Sequence, residues 1–199
     1  MTSNTDSSIL MKKICEQLRE ASDLKMELKK QADIVLKIAN EMVSVFKRGN
    51  KVMLFGNGGS AADAQHLAAE LAGKYYRDRE PLPAIALTAN TSILTALAND
   101  YSYSEVFLRQ VRALADRGDM VIGISTSGNS NNIVLAMEEA RNCGAVTVAF
   151  TGKGGKIKDI ADFCLAVPSN DTPRIQEAHI TAGHIICYLV EELLFGGAL

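Results

Sequence analysis

The 199-residue sequence has no charge excess of either sign: 21 Lys and Arg against 23 Asp and Glu give a formal charge of −2 and a pI near 5.9. That excludes the broad cationic footprint on which nucleic-acid binding relies. No apolar run approaches the ~20 residues that span a bilayer, and the opening MTSNTDSSILMKK lacks the basic, apolar, small-residue progression of a secretory leader. Cys15, Cys143, Cys164 and Cys187 lie far apart without paired spacing, which fits reduced core thiols better than a disulfide frame or a thiolate metal site. No internal repeat, low-complexity tract or Pro/Gly linker divides the chain. These absences predict a cytoplasmic protein with no nucleic-acid or membrane partner, made of a disordered segment 1–7 and one domain over 8–199.

What is present is 47% hydrophobic residues, arranged in two alternating patterns. Residues 8–48 carry helical periodicity (Ile9, Ile14, Leu18, then Ile34, Leu36, Ile38, Met42, Val43, Phe46), which predicts two amphipathic helices ended by Gly49 and Asn50. Short β-branched runs follow at 51–55, 84–88, 120–125, 145–150 and 163–167. Between and after them, helical patterns occupy 60–75, 91–115 in two pieces around Asn99, 130–142, 155–161 and 172–195. Strands of this kind, without period-two alternation, are buried on both faces. The expected fold is therefore α/β: a three-layer, flavodoxin-like sandwich around a five-stranded parallel sheet, with extra N-terminal helices. In such folds ligands sit beyond the carboxyl ends of the strands, where strand order reverses.

Two of the expected βα loops suit an anion. Gly56-Asn57-Gly58-Gly59-Ser60-Ala61 ends the first strand, where glycines free backbone N–H groups for close approach and Ser60 is placed to cap the next helix. The same residues fit the dinucleotide fingerprint G-x-G-x-x-A, but that reading needs a carboxylate at the end of the next strand. That strand ends Leu87-Thr88-Ala89-Asn90, without one. The third strand runs into Ser125-Thr126-Ser127-Gly128-Asn129-Ser130 at a helix start. Capping requires one such residue, whereas four hydroxyls beside unpaired N–H groups make a phosphate cradle without any Lys or Arg.

The helix after the first loop places Asp63, His66 and Glu70 on one face, within ~60° at 100° per residue. His66 and Glu70 at i, i+4 can grip one metal ion, with Asp63 as an outer acceptor that orients the imidazole. The other two histidines, His179 and His184, share the last helix behind Gln176 and Glu177. For either one alone, a core or capping role is the commoner explanation.

Taken together, Gly56-Asn57-Gly58-Gly59-Ser60, Asp63-Ala64-Gln65-His66 with Glu70, Ala98-Asn99-Asp100, Gly123 through Ser130, and Arg174-Ile175-Gln176-Glu177 with His184 resemble the phosphoheptose isomerases of the sugar isomerase (SIS) family. The resemblance runs from about residue 30 to residue 195 in unbroken order. It implies conversion of sedoheptulose 7-phosphate to a D-glycero-D-manno-heptose 7-phosphate through an enediol, for bacterial surface polysaccharide such as lipopolysaccharide, in a zinc-containing homotetramer. Carried over, the zinc ligands are His66, Glu70, Gln176 and His184, and the acid/base pair is Glu70 and His184. Substrate contacts fall on Asn57, Gly58, Gly59, Glu70, Asn99, Asp100, Ser125, Thr126, Ser127, Ser130 and Gln176. Coordination would lower the basicity of Glu70, which points to transient ligation. Pro173 stands where some relatives have an Asp implicated in the chemistry, with Asp171 nearby as a substitute.

The SIS fold also serves in binding modules, including proteins that dock on the replication initiator and share the Ala98-Asn99-Asp100 segment. Those lack the carboxylate at position 70 and the imidazole at position 184, both present here. Gln176 and His184 stand eight residues apart, ~12 Å along a regular helix. Joint ligation therefore predicts either an irregular entry to the last helix around Pro173 or, preferred, ligands from different subunits.

Overall fold

The computed structural model describes residues 4–197, with side chains described from residue 7. Helix α1 spans Asn4–Glu27 and, through a 3-10 turn at Leu28–Gln31, leads into α2, Ala32–Lys47. The helix thus starts within the expected disordered stretch 1–7. Residues 1–3 of that stretch lie outside the described residues.

Five strands follow: β1 Val52–Gly56, β2 Ala84–Ala86, β3 Met120–Ser125, β4 Val146–Thr151 and β5 Phe163–Ala166. All pair in parallel, in the order β2-β1-β3-β4-β5. Helices α3 Gly59–Ala72, α4 Thr91–Asp100, α5 Leu108–Leu114, α6 Asn131–Asn142, α7 Lys156–Ile160 and α8 Thr172–Phe195 connect and cover the sheet. Strand sequences alternate between two cores. Leu54, Ile122, Ile124 and Phe150 face one cluster with Ile38, Met42, Leu67, Leu71, Ile186 and Val190 of α2, α3 and α8. Met53, Phe55, Val121 and Ala149 face the other, with Phe107, Ile133, Met137 and Ile157. Burial on both faces is why no strand shows period-two alternation. Strand order reverses between β1 and β3, so the crevice beyond their carboxyl ends is the place for a ligand.

The amino ends of these strands are closed by Asp119, whose side chain is 1% exposed and ion-pairs with Lys51 at 2.6 Å. Burial pushes its carboxyl up, but hydrogen bonds from the Lys51 and Asp116 N–H groups and the Lys51 ammonium outweigh that and hold it below the ordinary value.

By length and composition α8 is long and apolar enough to cross a membrane, although no unbroken apolar run of that length occurs in it. Here it is a core helix, burying Ile175, Ala178, Ala182, Ile186 and Val190 against the sheet side. No disulfide links the four cysteines, of which Cys15 is exposed and Cys187 buried.

Candidate active site

The expected loops lie at the carboxyl ends of the two strands flanking the reversal. Between β1 and α3, Asn57 exchanges two amide hydrogen bonds with buried Asn132 on α6, both 2.9 Å, and accepts a third from the Tyr103 hydroxyl at 3.1 Å. This pair bridges the crevice. Gly58 turns with φ +55, and Gly59 opens α3. A Cβ on Gly59 would stand 2.6 Å from Gln176 Nε2 and would push that amide from its place over the loop.

In the serine loop, Ser125 Oγ lies 3.2 Å from Ser130 Oγ and 3.5 Å from Ser127 Oγ. Ser130 occupies the N-cap of α6, yet its side chain makes no capping bond. Ordinary capping therefore does not account for these hydroxyls. They converge on one another beside the free end of the helix, where the N–H groups and the dipole favour an anion. Thr126 and Ser127 also line a cavity of about 260 Å³ whose other wall is Lys153, Gly154, Asn170, Thr172 and Ile175. Asn99 and Asp100 close α4 and bond each other, Asn99 Nδ2 to Asp100 Oδ1 at 2.8 Å. Among the described residues, no side-chain hydrogen bond ties them to the other expected substrate contacts.

The second half of the site sits between α3 and α8. His66 Nε2 lies 2.8 Å from His184 Nε2 and 3.2 Å from Glu70 Oε1, and one donor atom from each residue fits within 4.8 Å of the others. The imidazoles meet edge to face, with centroids 5.0 Å apart. Helical spacing explains the His66 and Glu70 pair, whereas His184 arrives because the helices pack closely where α8 has Gly183. A zinc ion takes nitrogen and oxygen ligands about 2.0–2.2 Å away at tetrahedral angles, which places neighbouring donor atoms about 3.3 Å apart. Two imidazole lone pairs and a carboxylate converging at these separations fit such an ion.

All three residues come from one chain, so sharing between subunits is not needed for them. Gln176 is different. Helix α8 begins regularly at Thr172 with Pro173 in its first turn, so the irregular entry, the less favoured of the two alternatives, is absent. Its amide lies against Gly59, two and three turns before His66 and Glu70 on α3. The structure brings three of the four expected ligands together and sets the fourth at the glycine loop, between the two halves of the site.

Asp63 forms no hydrogen bond with His66 among the described residues, and its Oδ2 is buried without a partner. Burial pushes its carboxyl up to about 6, opposed by the nearby His66. Asp171 caps the start of α8 without a side-chain cap bond, 4.0 Å from Arg174, and does not join the His66 cluster. His179 is a core histidine: fully buried, Nε2 3.1 Å from the Thr151 carbonyl, with burial pushing its pKa down to about 4.

Three features went unread in the sequence. Tyr75 stacks on His184 at 5.6 Å and 27°. Arg79 and Glu191 form a buried ion pair beneath it, at 3.1 Å. Asn132 partners Asn57. For Asn132 a signal existed, since it lies two residues past the serine loop. Glu191 is an acid within an apolar stretch of α8, seven residues after His184 and next to Glu192.

Fold and site together define a protein of the sugar-phosphate isomerase type: an SIS sandwich with a hydroxyl-lined loop at the end of β3 and a cluster of His66, Glu70 and His184 between α3 and α8. The SIS domain profile matches residues 17–152. A phosphoheptose isomerase of Aquifex aeolicus is 51% identical over 93% of this chain and 98% of its own length. That of Clostridium acetobutylicum is 52% identical over 90% of this chain and 94% of its own. The structure of the Neisseria gonorrhoeae phosphoheptose isomerase superposes with a TM-score of 0.88 at 40% identity, covering 92% of this chain and 99% of that one. The chain belongs to the phosphoheptose isomerase family of SIS-domain enzymes.

Proposed function

We propose that the protein interconverts sedoheptulose 7-phosphate and D-glycero-D-manno-heptose 7-phosphate, an aldose/ketose isomerisation through an enediol. The observation that carries this reading is the joint presence of Glu70 and His184 within 4.8 Å of each other and His66. A pair of that separation can serve two adjacent carbons of one substrate. One group takes the proton from carbon 1 of the ketose and the other moves a proton at the oxygens, after which a proton returns to carbon 2.

The phosphate end is read by Ser125, Thr126, Ser127 and Ser130 with the α6 N-terminus, and the chain of hydroxyls by Asn57, Gly58, Gly59, Asn99, Asp100 and Gln176. Helix α8 supports this assignment, since Gln176 at the glycine loop and His184 at the reacting end are ~12 Å apart along the axis. A sugar phosphate that reacts several carbons from its phosphate suits that spacing.

Zinc is the proposed cofactor, held by His66, Glu70 and His184, with Gln176 left at the glycine loop as a substrate contact. Bound there, it would polarise the substrate carbonyl and stabilise negative charge on its oxygen. The setting proposed is a cytoplasmic homotetramer supplying heptose to lipopolysaccharide or a related surface polysaccharide. In α1, Ile9, Leu10, Met11, Ile14 and Leu18 stand 51–66% exposed, more apolar surface than a lone sandwich needs. The direct test is incubation of the pure protein with sedoheptulose 7-phosphate, with and without chelator. Aldoheptose phosphate should form and chelation should slow it, whereas no product under either condition would overturn the reading.

A further inference from the structure

The segment 73–83 runs from α3 to β2 without helix or strand, yet Tyr75 from this segment covers the face of His184. A segment of this length needs something to hold it. Glu191 of α8 supplies it: one carboxylate accepts the N–H groups of Tyr75 and Tyr76 at 2.8 Å and of Arg77 at 3.1 Å. The same carboxylate pairs with Arg79 Nε at 3.1 Å, both side chains being 2% exposed.

Arg79 then reaches the other helix. Its guanidinium donates to the carbonyls of Glu70 at 2.9 Å, Leu71 at 2.8 Å, and Gly73 and Glu80 at 3.1 Å. The first two belong to the last turn of α3, whose carbonyls have no helical partner. The planar fork of five N–H donors meets these carbonyls and the Glu191 carboxylate together, more acceptors than the three donors of an ammonium can satisfy. On α8, Glu191 follows His184 by seven residues, about 20° around the axis and about 10 Å along it. The pair therefore joins the turn of α3 that bears Glu70 to the face of α8 that bears His184.

We propose that Arg79 and Glu191 are positioning residues of the reacting centre. They set α3 and α8 in register so that His66, Glu70 and His184 converge, and they clamp Tyr75 onto the His184 ring. The inference rests on reading that cluster as the reacting centre. Mere stabilisation is the competing account, because breaking a buried ion pair destabilises any fold.

The two separate in a comparison of Glu191→Gln and Arg79→Lys with Asp119→Asn. Asp119 is an equally buried carboxylate at the amino ends of the strands, away from the site. Melting temperature, kcat and KM for sedoheptulose 7-phosphate, and zinc affinity by chelator competition are measured for each. The positioning account expects kcat of the folded Glu191→Gln and Arg79→Lys proteins to fall about 10²-fold with KM changed less than about twofold. Zinc affinity should fall about 10-fold to 100-fold in the same two variants, while Asp119→Asn loses melting temperature alone. Wild-type kcat and zinc affinity in a folded Glu191→Gln or Arg79→Lys protein would overturn it. So would equal losses in Asp119→Asn. Should Glu191→Gln not fold, Arg79→Lys, which keeps the charge and loses the fork, decides alone. An inactive wild type would overturn the isomerase reading instead, and zinc affinity would then decide the role of the pair. A wild type that also fails to bind zinc would remove the centre and the inference with it.

Discussion

Gly183 on α8 meets Leu67 on α3 so closely that a Cβ at position 183 would stand 2.6 Å from Leu67 Cδ2. His184 directly follows Gly183, and His66 directly precedes Leu67. The missing side chain is what lets the two helices approach until their imidazoles touch.

Gly183→Ala should therefore push α8 from α3. Overpacking of this kind costs ~1–3 kcal/mol. For a chain of this size that lowers the melting temperature by about 2–4 °C per kcal/mol. Because His184 moves with the helix, kcat should drop while KM changes little. Calorimetry and initial rates check both, and an unchanged kcat would show that the imidazole contact tolerates the shift.

Glu70→Gln and His184→Ala should each abolish practical turnover while circular dichroism stays native. Loss of a general acid or base costs ~10² to 10⁴-fold, and more where a metal ligand is lost with it. Since one chain supplies both groups, mixing the two inactive proteins under verified subunit exchange should restore no activity. Recovered activity would require a site assembled across an interface.

Alanine at Ser127, and separately at Ser125, Thr126 and Ser130, should raise KM for the phosphorylated sugar with a smaller effect on kcat. Neutral hydroxyls and N–H groups suffice because the α6 terminus supplies positive potential. Unchanged KM in all four variants would place the phosphate elsewhere.

His179 should make the fold acid-sensitive. Its pKa is pushed down to about 4 by burial, against about 6.5 in an unfolded chain. A depressed imidazole favours folding above pH ~6.5, and that contribution is lost as pH falls toward 4, by about 1.4 kcal/mol per unit. Denaturant titrations of wild type and His179→Phe across this range should show a steeper loss in wild type. Parallel curves would mean that His179 is not held neutral.

The sheet, its flanking helices and the two loops after β1 and β3 were legible because each is written in local chemistry: apolar runs of strand length, glycines at a turn, hydroxyls at a helix start. The His66 and Glu70 pair was legible from helical spacing. What joins His184 to them was not, since Gly183 and Leu67 are far apart in sequence and a helical glycine carries no label for close approach. Arg79 and Glu191 are separated by 112 residues, and no periodicity connects them. The helical pattern over 172–195 matches α8, and only the form of its entry was left open. Pro173 suits the first turn of a regular helix as well as an irregular entry, and only the backbone distinguishes these.

The central claim is that Glu70 and His184 move protons between the substrate and solvent-exchangeable groups during isomerisation. It is tested most directly by running the conversion of sedoheptulose 7-phosphate in deuterium oxide and reading the label at carbon 2 of the aldoheptose phosphate by NMR. Proton transfer through these side chains predicts deuterium at carbon 2 in the wild-type product and none formed by Glu70→Gln. Product carrying no solvent deuterium, with the original carbon-bound hydrogen moved intact from carbon 1, would contradict it.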